Sequence, residues 1–190
     1  MHRAAISPSP RFHTGLSSTW LARRWYYTAR SHRAYSVRQI SPGDRRLLAE
    51  FALSLTQHAA QRDPSGLRSL SSILFDRVIV SDGGESAVGF AALENTSAGD
   101  RVIGVAAYAP SSRDNSDFIV AVANSYREEQ VGRTLLSTLL RHAKRVGVPR
   151  LTGEMCWSNR PMQMLAMSMG FVVEPLPGDR NLRRLQLALK

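Results

Sequence analysis

The spacing of apolar and polar residues changes period several times along this chain, and each change predicts an element. Tyr35 to Ile40 (YSVRQI) alternates and is β-branched, which predicts a first strand. Ser41-Pro42 then supplies a helix-capping residue and a proline suited to the first turn, and Leu47, Leu48, Phe51 and Leu55 recur at helical spacing. The DPSG breaker makes residues 57–66 a predicted loop, and Leu67 to Phe75 reads as a second short helix. Three strands are predicted next, at Ser86 to Leu93 (SAVGFAAL), Val102 to Ala109 (VIGVAAYA) and Asp117 to Ala123 (DFIVAVA). The short turn-rich segments between them imply an antiparallel meander. Gly132 to Val146 is a predicted helix with Leu135, Leu136, Leu139, Leu140 and Ala143 on one side, closed by Gly147 and Pro149. Arg150 to Cys156 (RLTGEMC) is a further strand, Asn159 to Met169 a helix ended by Gly170, and Phe171 to Glu174 with Arg183 to Leu189 a last strand pair. The fold class is α/β.

Composition refines this picture at the N-terminus. The 190-residue chain carries a formal charge of +10. From Met1 to Gly43 it holds seven arginines and no acid, whereas from Asp44 onward 18 Lys/Arg face 15 Asp/Glu. The basicity therefore belongs to a leader, residues 1–34, and residues 35–190 form one nearly balanced domain. The leader is Arg-, Ser- and Ala-rich, which fits a transit peptide, a basic arm for an acidic partner, or a tail without a role; disorder is expected in all three cases. The nearly neutral body argues against nucleic-acid binding.

The single cysteine, Cys156, excludes an intramolecular disulfide, and with the histidines it makes no metal-ligand spacing. No apolar run reaches the roughly 20 residues of a membrane span. The cytoplasm is the default compartment, with an organelle as the alternative if residues 1–34 are a transit segment.

The chemistry points to one turn. NSYREEQVGRTLL, residues 124–136, runs from a strand into a helix, where free backbone N–H groups and the helix dipole together attract anions. Gly132 permits close approach of a ligand, and Arg127, Arg133 and Thr134 offer donors to phosphate oxygens. Glu128 and Glu129 oppose an anion unless they point away from it.

The order of elements and three motifs resemble the GCN5-related N-acetyltransferase (GNAT) family over about four fifths of the chain. The family's Arg/Gln-x-x-Gly-x-Gly/Ala loop falls on Arg127, Gln130 and Gly132, with Gln130 where the family has its central glycine. Asn159 opens the following helix, and Leu165 to Phe171 resembles the family's closing Gly-Phe. The resemblance implies a mixed, mostly antiparallel sheet flanked by helices, with splayed fourth and fifth strands (Asp117 to Ala123 and Arg150 to Cys156). It implies acetyl-CoA as acyl donor, with no metal. The pyrophosphate would lie on the turn at Arg127, Gln130, Val131, Gly132, Arg133 and Thr134. Val120 and Val122 would meet the pantetheine arm through their backbones, and Asn159 would bind the cofactor from the helix start.

The family often protonates the leaving thiolate with a helix tyrosine; that position here is Ala166. An attacking amine must lose a proton, and Glu154 is the candidate base. The segment GEM…NRPM…A…GF resembles the acetyltransferase domain of bacterial protein lysine acetyltransferases, where a glutamate occupies this place. A structural role for Glu154, as a solvated residue or an arginine's partner, is the competing reading. His142, beside Arg141 and Lys144, reads as solvated, and Cys156 as a small buried residue. The methionines of 155–169 read as core packing or as an adaptable acceptor-binding wall, and Trp157 as either lining the cleft mouth or capping its strand. The leading expectation is an N-acetyltransferase acting on an amine, a protein lysine or a small molecule. The alternative is a non-catalytic relative that binds acyl-CoA or a partner.

Overall fold

Strands and helices alternate through residues 24–59 and 87–189, the residues described by the computed structural model (backbone alone for 56–59). In chain order these are β1 (Trp25–Thr28), β2 (Ala34–Gln39), α1 (Arg45–Ala59), β3 (Val88–Thr96), β4 (Gly99–Ser112), β5 (Asn115–Val122), α2 (Val131–Arg145), β6 (Arg150–Cys156), α3 (Arg160–Ser168), β7 (Val172–Leu176) and β8 (Asp179–Ala188). The strands form one sheet in the order β1-β2-β3-β4-β5-β6-β8-β7. Every neighbouring pair is antiparallel except β5 and β6, which run parallel and are joined through α2. The α/β class, the meander and the mixed sheet expected from the sequence are all present. The helix expected at Leu67 to Phe75 and the DPSG loop lie outside the described residues, although α1 continues through 57–59.

One boundary needs correction. Trp25–Thr28, assigned above to a disordered leader, pairs antiparallel with β2, Trp25 opposite Val37 and Tyr27 opposite Tyr35. Aromatic residues and threonine fit a pleated, half-buried surface. Here Trp25 and Tyr27 pack against the core while Tyr26 is exposed, and the Tyr27 and Tyr35 rings stack at 5.6 Å. The basic composition concealed a strand whose stability comes from its cross-strand partners.

The alternation of side chains along the strands gives the sheet two apolar faces. Leu48 and Phe51 of α1 cover one, against Ala91, Leu93, Val102 and Val105. The other is covered by α2 and α3, with Leu135, Leu136, Leu139 and Ala143 of α2 packed over Phe90, Ala92, Ala106 and Leu151. His142 belongs to this packing, which corrects the solvated reading. Its Nδ1 lies 3.1 Å from the Tyr108 hydroxyl and its ring is edge-on to Phe90. Burial, followed by the nearby Arg145, lowers its pKa.

The first helix is fixed by charge as well as by its apolar stripe. Asp44, only 5% exposed, accepts two bonds of 2.5 Å from Arg38 and also bonds the amide and hydroxyl of Ser41, the residue that caps the turn leading into α1. Burial alone would raise the Asp44 pKa, but the bonds from Arg38 and Ser41 prevail and hold it below the usual carboxylate range. A carboxyl depressed in the folded state stabilises the protein above its unfolded pKa of about 3.9, and that stability is lost as pH falls through the lower folded value. Thermal unfolding should therefore show a fall in Tm below about pH 4 that is smaller in Asp44→Asn. At neutral pH, Arg38→Ala should cost about 3 kcal/mol, because it leaves a buried carboxylate without its partner.

Candidate functional site: a split in the sheet and an uncapped helix start

The sheet opens between β5 and β6. The two strands pair only at Ser116 with Leu151 and at Asp117 with Thr152, and the following residues of β5 have no partner on β6. At the closed end, Asn115, Asp117 and Thr152 are tied by side-chain bonds of 2.7 to 3.2 Å. Phe118 lies at the point of divergence. A Cβ on Gly153 would come within 2.8 Å of its ring and 3.1 Å of its carbonyl oxygen, so only glycine lets β6 pass this close.

Beyond that point this edge of β5 has no strand partner among the described residues. The Ala123 amide donates to the Ile103 carbonyl of β4, at 2.9 Å. Antiparallel pairing alternates, so Ile119 and Ala121 direct their backbone groups toward β4. Val120 and Val122 direct theirs into the split. Both residues expected to meet an extended ligand thus belong to the set whose N–H and C=O groups are free to pair with one.

The turn at the end of β5 leads into α2. Tyr126, 1% exposed, anchors it: its hydroxyl bonds Glu94, which also accepts from Arg101 at 2.6 Å. Two residues that are not glycine then adopt left-handed backbone, Glu128 and Gln130, each with φ of 66°. This explains the family's glycine at the Gln130 position: the turn requires positive φ, which a side chain disfavours. The Gln130 side chain makes no cap to α2. Thr134 N–H bonds the Gln130 carbonyl at 3.0 Å, so the amides of Val131, Gly132 and Arg133 form the open N-terminus of the helix. Gly132 sits between Val122 and Leu165, and an added Cβ would make only ordinary contacts there, at 3.5 and 3.6 Å.

The remaining candidates are distributed around this opening. Arg127 is exposed on the turn. Arg133 bonds the Ser168 hydroxyl at the end of α3, at 2.9 Å, and Thr134 lies 3.0 Å from the Tyr35 hydroxyl. Asn159 caps α3 by accepting from the Met162 amide at 3.2 Å, which leaves its Nδ2 donors available. Glu129 does not aim at the helix start: its Oε2 accepts from the Ser31 amide at 2.8 Å. That bond, aided by the hydroxyl of Ser31 and by Arg33, lowers its pKa.

Glu154 stands apart from this helix start. Thr152 and Asp117 share a sheet face through their bond, so Glu154, two residues along β6, lies on that same face. This is the face of α1, opposite α2. It is partly buried and lies opposite Arg184 of β8. Ala166 is fully buried in the core of α3. Trp157 is 43% exposed just past the end of β6, with the guanidinium groups of Arg160 and Arg183 over its ring at 4.3 and 4.8 Å. Sequence reasoning missed these two arginine contacts, as well as the role of Tyr126. Cys156 is partly rather than fully buried. No cluster of His, Cys, Asp or Glu with metal-binding geometry occurs among the described residues, and none of their helices is long and apolar enough to cross a membrane.

A parallel strand pair that splits beside an uncapped helix start belongs to the class of site that can take an extended ligand carrying an anionic group. A family model described as the Acetyltransferase (GNAT) family matches residues 52–171, more than half of the chain, and the protein belongs to that family. Its fold is shared with the GNAT domain of PAT from S. lividans at 20% identity and a TM-score of 0.66, over 87% of this chain and 96% of that one. It is shared likewise with yncA, a putative acetyltransferase from Salmonella typhimurium with its cofactor acetyl-CoA (20% identity, TM-score 0.61, 82% and 94% covered). The paia N-acetyltransferase from Thermoplasma acidophilum, in complex with coenzyme A, matches at 17% identity and a TM-score of 0.61, with 81% and 98% covered. No curated protein matches in sequence.

The left-handed turn gives a direct test of strain. Gln130→Gly should raise stability by about 0.5 kcal/mol, the relief of strain being partly offset by the flexibility of glycine in the unfolded chain. Gln130→Val, which adds a β-branch at positive φ, should lower it by about 1 kcal/mol or more. Denaturant titration of the two variants beside the parent protein reads both signs.

Proposed function

We propose that this protein transfers the acetyl group of acetyl-CoA to an amine, with a protein lysine as the acceptor. The observation that carries this reading is the coincidence of two unsatisfied sets of backbone groups: the β5 edge at Val120 and Val122, and the α2 start at Val131 to Arg133. An acyl-CoA has an amide-bearing arm and a pyrophosphate, and these match the two sets in kind and in order. The arm adds to β5 as an extra strand, as peptides do at exposed sheet edges. The pyrophosphate is held by the α2 amides, with Gln130 shaping the turn and Arg127, Arg133 and Thr134 as side-chain donors. Arg133 would exchange its bond to Ser168 for a phosphate oxygen. Asn159 supplies a donor from the start of α3.

In this reading the amine nitrogen attacks the thioester carbonyl and the C–S bond breaks, so the acetyl group moves to nitrogen and CoA leaves as thiolate. Backbone donors on the β5 edge stabilise the developing oxyanion. Glu154 takes the amine's proton from the face of the split opposite α2, so donor and acceptor enter from different sides. Ala166 offers no proton to the thiolate, which is then protonated from solvent. The lysine acceptor is supported by the likeness of GEM…NRPM…A…GF to the bacterial protein lysine acetyltransferases. A second reading, a non-catalytic protein that binds acyl-CoA or a partner, draws support from Gln130 and Ala166.

Calorimetry with acetyl-CoA and turnover with lysine-containing peptides separate the two. Glu154→Gln should lower kcat about 100-fold while leaving the Kd for acetyl-CoA within about two-fold. Tight binding without turnover on any amine would favour the non-catalytic reading as an acyl-CoA binder, and absence of binding would remove the enzyme reading and leave a non-catalytic protein that binds a partner.

A further inference from the structure

The turn before α2 holds two non-glycine residues at positive φ, and something must keep them there. Besides the turn's own backbone bonds and the Tyr126–Glu94 bond, a set of contacts comes from a hairpin nearly 100 residues earlier in the chain. Ser31 N–H binds the Glu129 carboxylate at 2.8 Å, on the residue between Glu128 and Gln130. Arg33 donates to the Ser125 carbonyl at 2.9 Å and lays its guanidinium 4.1 Å above the Tyr126 ring. From β2, the Tyr35 hydroxyl meets Thr134 in the first turn of α2. Residues 125, 126, 129 and 134 are thus each held from β2 or from the turn that precedes it. That turn is itself fixed, with Ala29 N–H bonded to the Arg33 carbonyl and His32 N–H to the Ala29 carbonyl. Its approach strand is joined to β4 by the Arg24–Asp100 ion pair at 2.6 Å.

We propose that the β1–β2 hairpin is an external brace for the anion-binding turn, with Arg33 as its positioning residue. It stands in for the conformational freedom that a glycine at position 130 would supply. A glycine there would adopt left-handed backbone unaided. Gln130 and Glu128 do so against a side-chain penalty, and the brace offsets it by fixing the residues on both sides. The Ser31 bond has a second effect: it draws Glu129 toward the hairpin and keeps its charge from turning into the helix start, where it would compete with an anion. A hairpin that only completed the sheet would need no donors reaching across to the turn. This inference rests on acetyl-CoA binding at the turn, so the test must distinguish a failed brace from a failed site.

The test is a double-mutant cycle on the full chain, with Kd for acetyl-CoA measured calorimetrically well below every variant's Tm. Arg33→Ala should weaken binding about ten-fold. Arg33→Lys, which keeps the charge and one donor, should recover part of that loss. In the Gln130→Gly background, where the turn needs less support, the same Arg33→Ala change should cost no more than about three-fold. An unchanged Kd in Arg33→Ala, with only Tm lowered, would make the hairpin purely structural and overturn the proposal. Equal losses in both backgrounds would overturn it too, since they would mean that Arg33 acts independently of the turn's backbone. If the parent protein does not bind acetyl-CoA at all, the proposed function fails and the brace proposal falls with it.

Discussion

The two-residue parallel pairing between β5 and β6 governs the rest of the site. Were the ladder to continue past Asp117 and Thr152, β6 would take the hydrogen bonds of Val120 and Val122 and leave no edge for a ligand. Three features define the closed end from which the strands diverge. The bonds among Asn115, Asp117 and Thr152 hold the closed end, Phe118 fills the angle between the strands, and Gly153 lets the backbones approach there without a clash. The strands then separate, and α2 starts where β5 ends. The same chain path that frees the strand edge therefore also presents free helix amides, so two kinds of donor face one opening.

The sheet faces divide the chemistry. Helices α2 and α3 cover one side, and their N-termini begin at Gln130, past the end of β5, and at Asn159, past the end of β6. The face of α1 carries Asp117, Thr152 and Glu154, so the candidate base is kept away from the positively polarised helix ends. A carboxylate beside those ends would lower the affinity for an anion; one on the opposite face can serve an amine without that cost. Glu129, which does sit on the candidate anion-binding turn, is bonded to Ser31 instead.

Much of this was legible in the sequence because it is local. The apolar stripe of α2, the RLTGEMC strand and the asparagine cap of α3 are each set by residues within one or two turns of each other, and each element appears within a residue or two of its expected limits. The position of the left-handed residue was also legible, since the family's glycine falls on Gln130. What the sequence hid depends on distant contacts. The strand Trp25–Thr28 looked like part of a basic tail because its partners, Val37 and Tyr35, are apolar or aromatic residues that only the fold brings opposite it. His142 looked solvated beside Arg141 and Lys144, yet Phe90 and Tyr108 close over it from neighbouring strands. Glu129 looked like an obstacle to an anion, and only the position of Ser31 shows where it points.

The central claim is that an acyl-CoA pairs with the vacant edge of β5, and amide hydrogen exchange resolved by residue tests it most directly. With saturating acetyl-CoA, the amides of Val120 and Val122 should slow strongly, while those of Ile119 and Ala121, already bonded to β4, should change little. Protection at Val131 to Arg133 should appear in parallel. Unchanged exchange at Val120 and Val122, in protein that calorimetry shows to be saturated, would contradict the account and locate the ligand elsewhere.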